Sequence, residues 1–286
     1  MFGNFAQKMY NKTMKNTKEK FMQKLDIVEN FLFKAHSCMF CDCECEDDES
    51  RICSRCKQNL DFIGDRYCLK CGAKLSGDYD YCIECKSEEH EFDKARSVLV
   101  YNEKSSPAIL KFKYGGRKAF AIPLAKLLAK RFETVDIVAD VVTFVPMPKE
   151  REKERGYNQS FELCREFSSL TGIPMVSALE RVKNVERQAT LGKAERIKNL
   201  QGSFKAINKQ DFKNKDVLLI DDVVTTGATA SECAKTLLKA GAKEVSVLSI
   251  AKTPALLSWK KCKNWHKNAN KSVEVLHLPL LLILFI

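Results

Sequence analysis

The chain has 286 residues, 45% of them hydrophobic and 30% charged, a balance that suits a folded globular protein and excludes a disordered one. Its formal net charge of +11 points to anionic partners (phosphorylated small molecules, nucleic acid or a membrane surface), although a solvated lysine-rich surface has the same composition. No apolar run reaches the roughly 20 residues of a transmembrane helix, and the N-terminal stretch lacks the apolar core of a secretory signal, so the cytoplasm is the expected compartment.

The charge is unevenly spread. Residues 1–37 carry seven Lys/Arg against three acids, and residues 38–96 carry nine against fifteen. Residues 97–254 carry twenty-seven against eighteen, and residues 255–286 five against one. The acidic stretch also holds ten of the thirteen cysteines. These shifts divide the chain into an N-terminal helical extension over 1–37, a cysteine module over 38–90, an α/β domain over 97–254 and a C-terminal extension with an apolar end over 255–286. In the first of these, Phe21, Leu25, Val28 and Leu32 recur at helical spacing and predict a helix over 1–34 with one packing face.

The cysteine module has neither helical nor strand periodicity and too little apolar material to fold by burial alone. It contains four C-x2-C pairs: Cys38/Cys41, Cys53/Cys56, Cys68/Cys71 and Cys82/Cys85. A two-residue spacer lets both thiolates of one turn reach the same tetrahedral ion, so four pairs predict two structural zinc sites. Sequential pairing would give one site from Cys38, Cys41, Cys53 and Cys56 and another from Cys68, Cys71, Cys82 and Cys85. An interleaved pairing satisfies the spacing too, and iron–sulfur ligation is a rival use of four thiolates. Cys43 and Cys45 leave the first ligand set open. Four thiolates leave no coordination position vacant, which argues for a staple rather than a catalytic metal.

From Ser97 the pattern turns to strands alternating with helices, which predicts a parallel sheet covered on both faces. SVLVY (97–101) and VVTFV (141–145) read as strands, and 118–132 and 159–170 as helices. VLLI (217–220) reads as a strand buried on both faces. A helix follows in which Ala230, Cys233, Ala234, Leu237 and Leu238 form one face and Gly241 ends it. EVSVLSIA (244–251) completes a β–loop–α–β unit. Cys164 and Cys233 fall on apolar helix faces and read as core.

The strongest functional signal is VLLIDDVVTTGAT (217–229). A buried strand brings Asp221 and Asp222 to the carboxyl end of the sheet, where open α/β folds bind ligands. Adjacent carboxylates can accept hydrogen bonds from vicinal hydroxyls such as those of a ribose. Val224, Thr225, Thr226, Gly227, Ala228 and Thr229 then supply amides, hydroxyls and one unrestricted glycine at a helix start near Thr229, a suitable cradle for phosphate. The plainer alternative is a βα turn in which the acids cap the helix. A second stretch, VPMPKEREKERGYNQS (145–160), places Lys149, Arg151 and Arg155 after a strand end, where a pyrophosphate could sit; it also reads as an ordinary charged loop.

The 217–229 segment resembles the phosphoribosyl-pyrophosphate (PRPP) motif of type I phosphoribosyltransferases. With RGYNQS (155–160), ERQATLGKAERIKNLQGSF (186–204) and the cysteine pairs, the chain resembles the ComF family of competence-associated proteins over residues 30–253. That resemblance implies a type I phosphoribosyltransferase-like parallel sheet preceded by a small zinc-binding module. It implies ribose contacts by Asp221 and Asp222, a 5-phosphate held by residues 225–229, and magnesium bound with PRPP. It also implies family positions at Gln188, Arg196 and Asn199 in a lid. Two functions follow from it. One is phosphoribosyl transfer to an unidentified acceptor. The other is handling of incoming single-stranded DNA with the competence machinery, with PRPP binding as a regulatory feature.

Overall fold

The computed structural model describes residues 37–45, 50–182 and 200–254. The expected N-terminal helix, the C-terminal extension and the positions Gln188, Arg196 and Asn199 lie outside the described residues. Two short helices interrupt the cysteine module, α1 (Ser54–Asn59) and α2 (Ile83–Ser87), where only turns are expected from the sequence. Each starts at a cysteine, Cys53 or Cys82, whose sulfur accepts the backbone N–H three residues on. The second cysteine of each C-x2-C pair is thereby wound back toward the first.

The α/β part runs β1 (Ala95–Val100), α3 (Ser106–Tyr114), a 3-10 turn at Lys118–Phe120, α4 (Ala121–Glu133) and β2 (Val141–Phe144). It continues with α5 (Lys149–Arg155), α6 (Gln159–Thr171), the short antiparallel pair β3 (Leu179–Arg181) and β4 (Phe204–Ala206), β5 (Asp216–Val224), α7 (Ala228–Lys239) and β6 (Glu244–Lys252). The main sheet has the order β1-β6-β5-β2 with every pair parallel. Three departures from the sequence reading matter. Residues 106–114 form a helix, residues 149–155 are a helix rather than a loop, and β5 extends past the acid pair to Val224.

Alternation explains the layering. Along β5, Leu218 and Ile220 join Leu124, Leu128, Leu163 and Phe167 of α4 and α6 in one core cluster. Val217 and Leu219 turn the other way and pack with Ala230, Cys233 and Leu237 of α7. Cys164 and Cys233 are fully buried, as expected of core residues. The first cysteine knuckle shares the α4/α6 core through Met39, Phe40, Ile52 and Leu60, whereas the second keeps a small core around Cys68, Cys71, Ala73 and Cys82. That second knuckle rests on β1. A Cβ at Gly72, whose φ is +70°, would sit 2.4 Å from the Ala95 carbonyl oxygen, so only glycine permits this approach.

Candidate functional site: the carboxyl end of β5

Asp221 lies in the last turn of pleat on β5, opposite Ser249 of β6. Its Oδ1 accepts the Ser160 hydroxyl at 3.0 Å and the Asp222 backbone N–H at 2.8 Å. Lys113, at the end of α3, places its Nζ 3.0 Å from Asp222 Oδ1, with both side chains largely shielded from solvent. Burial, then the Asp222 charge, push the Asp221 carboxyl up from 3.8 to about 7. Lys113, the Asp222 amide and Ser160 act in the opposite direction. An acid pair with one cation beside it is a site prepared for hydroxyl donors or a second cation.

Next to it, Val224 is buried at the end of β5, Thr225 is exposed and Gly227 adopts φ +82°. That left-handed turn costs a residue with a side chain about 1–2 kcal/mol, and a Cβ there would also press to 3.2 Å from His90 Cε1. Helix α7 then starts at Ala228, one residue before the expected Thr229. The amides at its start have no acceptors one turn earlier in the helix, and the macrodipole adds positive potential in the same place. Beneath the loop the Thr225 carbonyl is fixed twice, by Lys252 Nζ at 2.6 Å and by Thr253 Oγ1 at 3.1 Å.

The cation-rich segment can form a helix because its acids and bases alternate at i, i+3, as in Lys149/Glu152 and Glu152/Arg155, and Gly156, at φ +83°, ends it. Its residues face several ways. Lys149 is exposed and 3.8 Å from Glu180. Arg151 is half-buried in the middle of α5. Arg155 lies over the Tyr114 ring at 4.5 Å and donates to the Tyr114 hydroxyl at 3.0 Å and to Gln159 Oε1 at 3.1 Å. Gln159 Nε2 in turn donates to the Lys113 carbonyl, and the Tyr157 hydroxyl donates to the Phe112 carbonyl. The RGYNQS segment therefore clamps the end of α3, and through it the lysine that faces Asp222. Lys113, Tyr114 and Lys252 escape a sequence reading. Ser160 stands in a segment singled out there without any contact of its own being foreseen. The one available signal was the basic, glycine-paired KYGGRK turn (113–118) following an apolar run.

The cysteines gather into two groups of four, Cys38, Cys41, Cys53 and Cys56, and Cys68, Cys71, Cys82 and Cys85. Within each group all sulfurs lie within 4.8 Å of one another, with Cys41–Cys53 and Cys71–Cys82 at 3.7 Å. A tetrahedral zinc with bonds of about 2.3 Å needs sulfur–sulfur edges of about 3.8 Å, so both groups fit zinc in the sequential pairing. Cys43 stays outside the first group, exposed, with the Arg55 guanidinium donating to its sulfur at 3.2 Å. Cys45 is buried beside it and is also outside the group. Burial works to raise the Cys41 thiol, but the Cys43 amide, Cys56 and Arg55 bring it down to about 6, toward the thiolate a metal takes.

Known proteins carry the same two parts. A double zinc ribbon domain model matches residues 29–86, and a phosphoribosyl transferase domain model matches residues 169–276. Competence protein F of Haemophilus influenzae is 31% identical over 223 residues, covering 75% of this chain and 96% of that protein. DNA utilization protein YhgH of Escherichia coli is 28% identical, covering 71% and 89%, and competence protein ComFC of Bacillus subtilis is 27% identical, covering 74% and 92%. A tetrathiolate module joined to a phosphoribosyltransferase-type parallel sheet, with relatives matched over nearly their full length, places this chain in the ComF family.

Proposed function

We propose that the protein binds PRPP at the end of β5 and transfers its phosphoribosyl group to an acceptor. In this reading Asp221 and Asp222 accept hydrogen bonds from the ribose hydroxyls. Val224, Thr225, Thr226, Gly227, Ala228 and Thr229 wrap the 5-phosphate, and Lys149, Arg151 and Arg155 line the pyrophosphate side. The observation that carries it is one corner in which an acid pair, a lysine and a glycine-opened helix start converge. Magnesium takes oxygen ligands, and these two carboxylates fit it; bound with PRPP it would neutralise the diphosphate. On transfer, the bond from C1 to pyrophosphate breaks and its electron pair leaves with the pyrophosphate. The acceptor's lone pair makes the new bond to C1, and the acceptor sheds a proton. Carboxylates beside the ribose favour the positive charge that develops at C1, and the cations of α5 favour the leaving group. We propose further that the chain works in the cytoplasm; no described helix is long and apolar enough to cross a membrane.

Calorimetric titration with PRPP and magnesium tests binding, and pyrophosphate release on adding candidate acceptors tests transfer. Binding that Asp221→Asn weakens at least ten-fold supports the reading; intact protein that gives no binding heat with PRPP overturns it. A second reading, action on single-stranded DNA, is favoured by the relatives' names and by the excess of twenty-seven Lys/Arg over eighteen acids in residues 97–254. DNA affinity that survives Asp221→Asn and falls steeply with salt supports it.

A further inference from the structure

The last residue of β6 is a lysine with almost no exposure, 2%. Lys252 pairs in register with Val224, so its ammonium enters beneath the phosphate loop as the strand pair ends. It donates to the carbonyl oxygens of Thr225 and Thr253 at 2.6 and 3.1 Å. Among the described residues no carboxylate forms an ion pair with it. An ammonium held away from water by two neutral carbonyls is costly unless negative charge lies near.

The direction of the Thr225 carbonyl has a consequence for the ligand side. A trans peptide is planar, with its N–H antiparallel to its C=O, and the described chain has no cis peptide. Fixing the Thr225 oxygen inward on Lys252 turns the Thr226 N–H outward, away from the protein and toward the face where the loop opens. The same knuckle supports the loop by a second route: Lys70 lies 5.8 Å from the centre of the Phe92 ring, Phe92 stacks on His90 at 4.8 Å, and His90 backs Gly227.

We infer that Lys252 is a positioning residue that aims the Thr226 amide at the bound phosphate, and that the Cys68/Cys71/Cys82/Cys85 knuckle, packed behind Gly227 through Lys70, Phe92 and His90, is energetically coupled to the same loop. This rests on the PRPP-binding reading for its ligand but not for its structural half.

The test uses the full-length zinc-loaded protein and the variants Lys252→Met, Lys252→Arg and Cys82→Ser. Three quantities are read: metal content, affinity for PRPP and ribose 5-phosphate, and amide hydrogen exchange. In the ligand-free protein, Lys252→Met should speed exchange in 225–229 at least ten-fold while 217–221 stays within two-fold. Lys252→Arg should restore most of the protection. Both ligands should bind Lys252→Met at least ten-fold more weakly, with two zinc ions retained. Cys82→Ser should hold one zinc and show the same loosened loop. Unchanged exchange in 225–229 in Lys252→Met, or full affinity in a folded one-zinc Cys82→Ser protein, overturns the inference. If Lys252→Met does not fold, Lys252→Ala, which likewise removes the donor, takes its place under the same criteria. Wild-type protein that fails to bind PRPP sinks the parent reading alone, because the ligand-free exchange rates still decide whether Lys252 holds the loop.

Discussion

At the residue scale, the raised Asp221 carboxyl makes stability depend on pH with a defined sign. Its value in the folded protein is about 7 against an ordinary 3.8, so the folded state holds a proton that the unfolded chain has already released. The stabilisation is therefore complete below about pH 4 and disappears as pH rises through 7, at up to about 1.4 kcal/mol per pH unit. We expect chemical denaturation of the wild type, compared with Asp221→Asn, to show this slope between pH 5 and 7 and a flat difference above it. A pH-independent difference would refute the assignment. Lys113→Met, which removes the cation paired with Asp222, should move the Asp221 titration further upward, readable by carboxyl NMR. Gly227→Ala tests the left-handed turn. Backbone strain of about 1–2 kcal/mol, with added pressure on His90, should weaken PRPP binding at least ten-fold while the sheet stays intact by circular dichroism.

At the scale of elements, the two knuckles resemble each other in sequence but not in surroundings. Met39, Phe40, Ile52 and Leu60 tie the first into the core shared with α4 and α6, while the second rests on β1 and reaches the 225–229 loop through Phe92 and His90. Metal analysis should give two zinc ions per chain and one in either Cys38→Ser or Cys71→Ser. The global unfolding temperature should fall further in Cys38→Ser, because its knuckle belongs to the main core. Equal losses would show that the shared core is unimportant to stability. Helix α5 makes a similar point about context. Read as charges, Lys149, Arg151 and Arg155 form one cationic run. Once wound into a helix, Lys149 faces Glu180 and Arg155 stacks on Tyr114, so their contributions to any anion site differ. Arg155→Ala should disturb ligand affinity more than Lys149→Ala, since Arg155 also braces Gln159 and through it the Lys113 backbone.

At the scale of the whole molecule, the 225–229 loop is supported from two sides, by Lys252 of β6 and by His90. The strand that carries it is the third in an all-parallel sheet and is buried on both faces, so it is rigid where Asp221 and Asp222 leave the core. The zinc module contacts the back of the same loop through His90, and separately rests on β1 at Gly72. The basic charge of residues 97–254 acts at longer range, drawing polyphosphates or nucleic acid toward the surface, and that part of any affinity should weaken with salt. Comparing PRPP and single-stranded oligonucleotide at about 50 and 200 mM salt separates the two: oligonucleotide affinity is expected to drop far more, by the release of many counterions.

Much of this was legible in the residues alone. The C-x2-C spacing places two sulfurs on one turn whatever lies around it, so the four pairs could be read from local geometry, whereas which pairs share an ion was decided only by the fold. The run VLLI and the face of Ala230, Cys233, Ala234 and Leu237 revealed a buried strand and its covering helix, because burial leaves a periodicity in the chain itself. The pairing of Lys113 with Asp222, of Ser160 with Asp221 and of Lys252 with the Thr225 carbonyl left no such mark. Each joins residues far apart in sequence, and a polar side chain's partner depends on which elements packing brings to the same corner. Periodicity reports which face of an element is buried; only the assembled sheet decides what meets there.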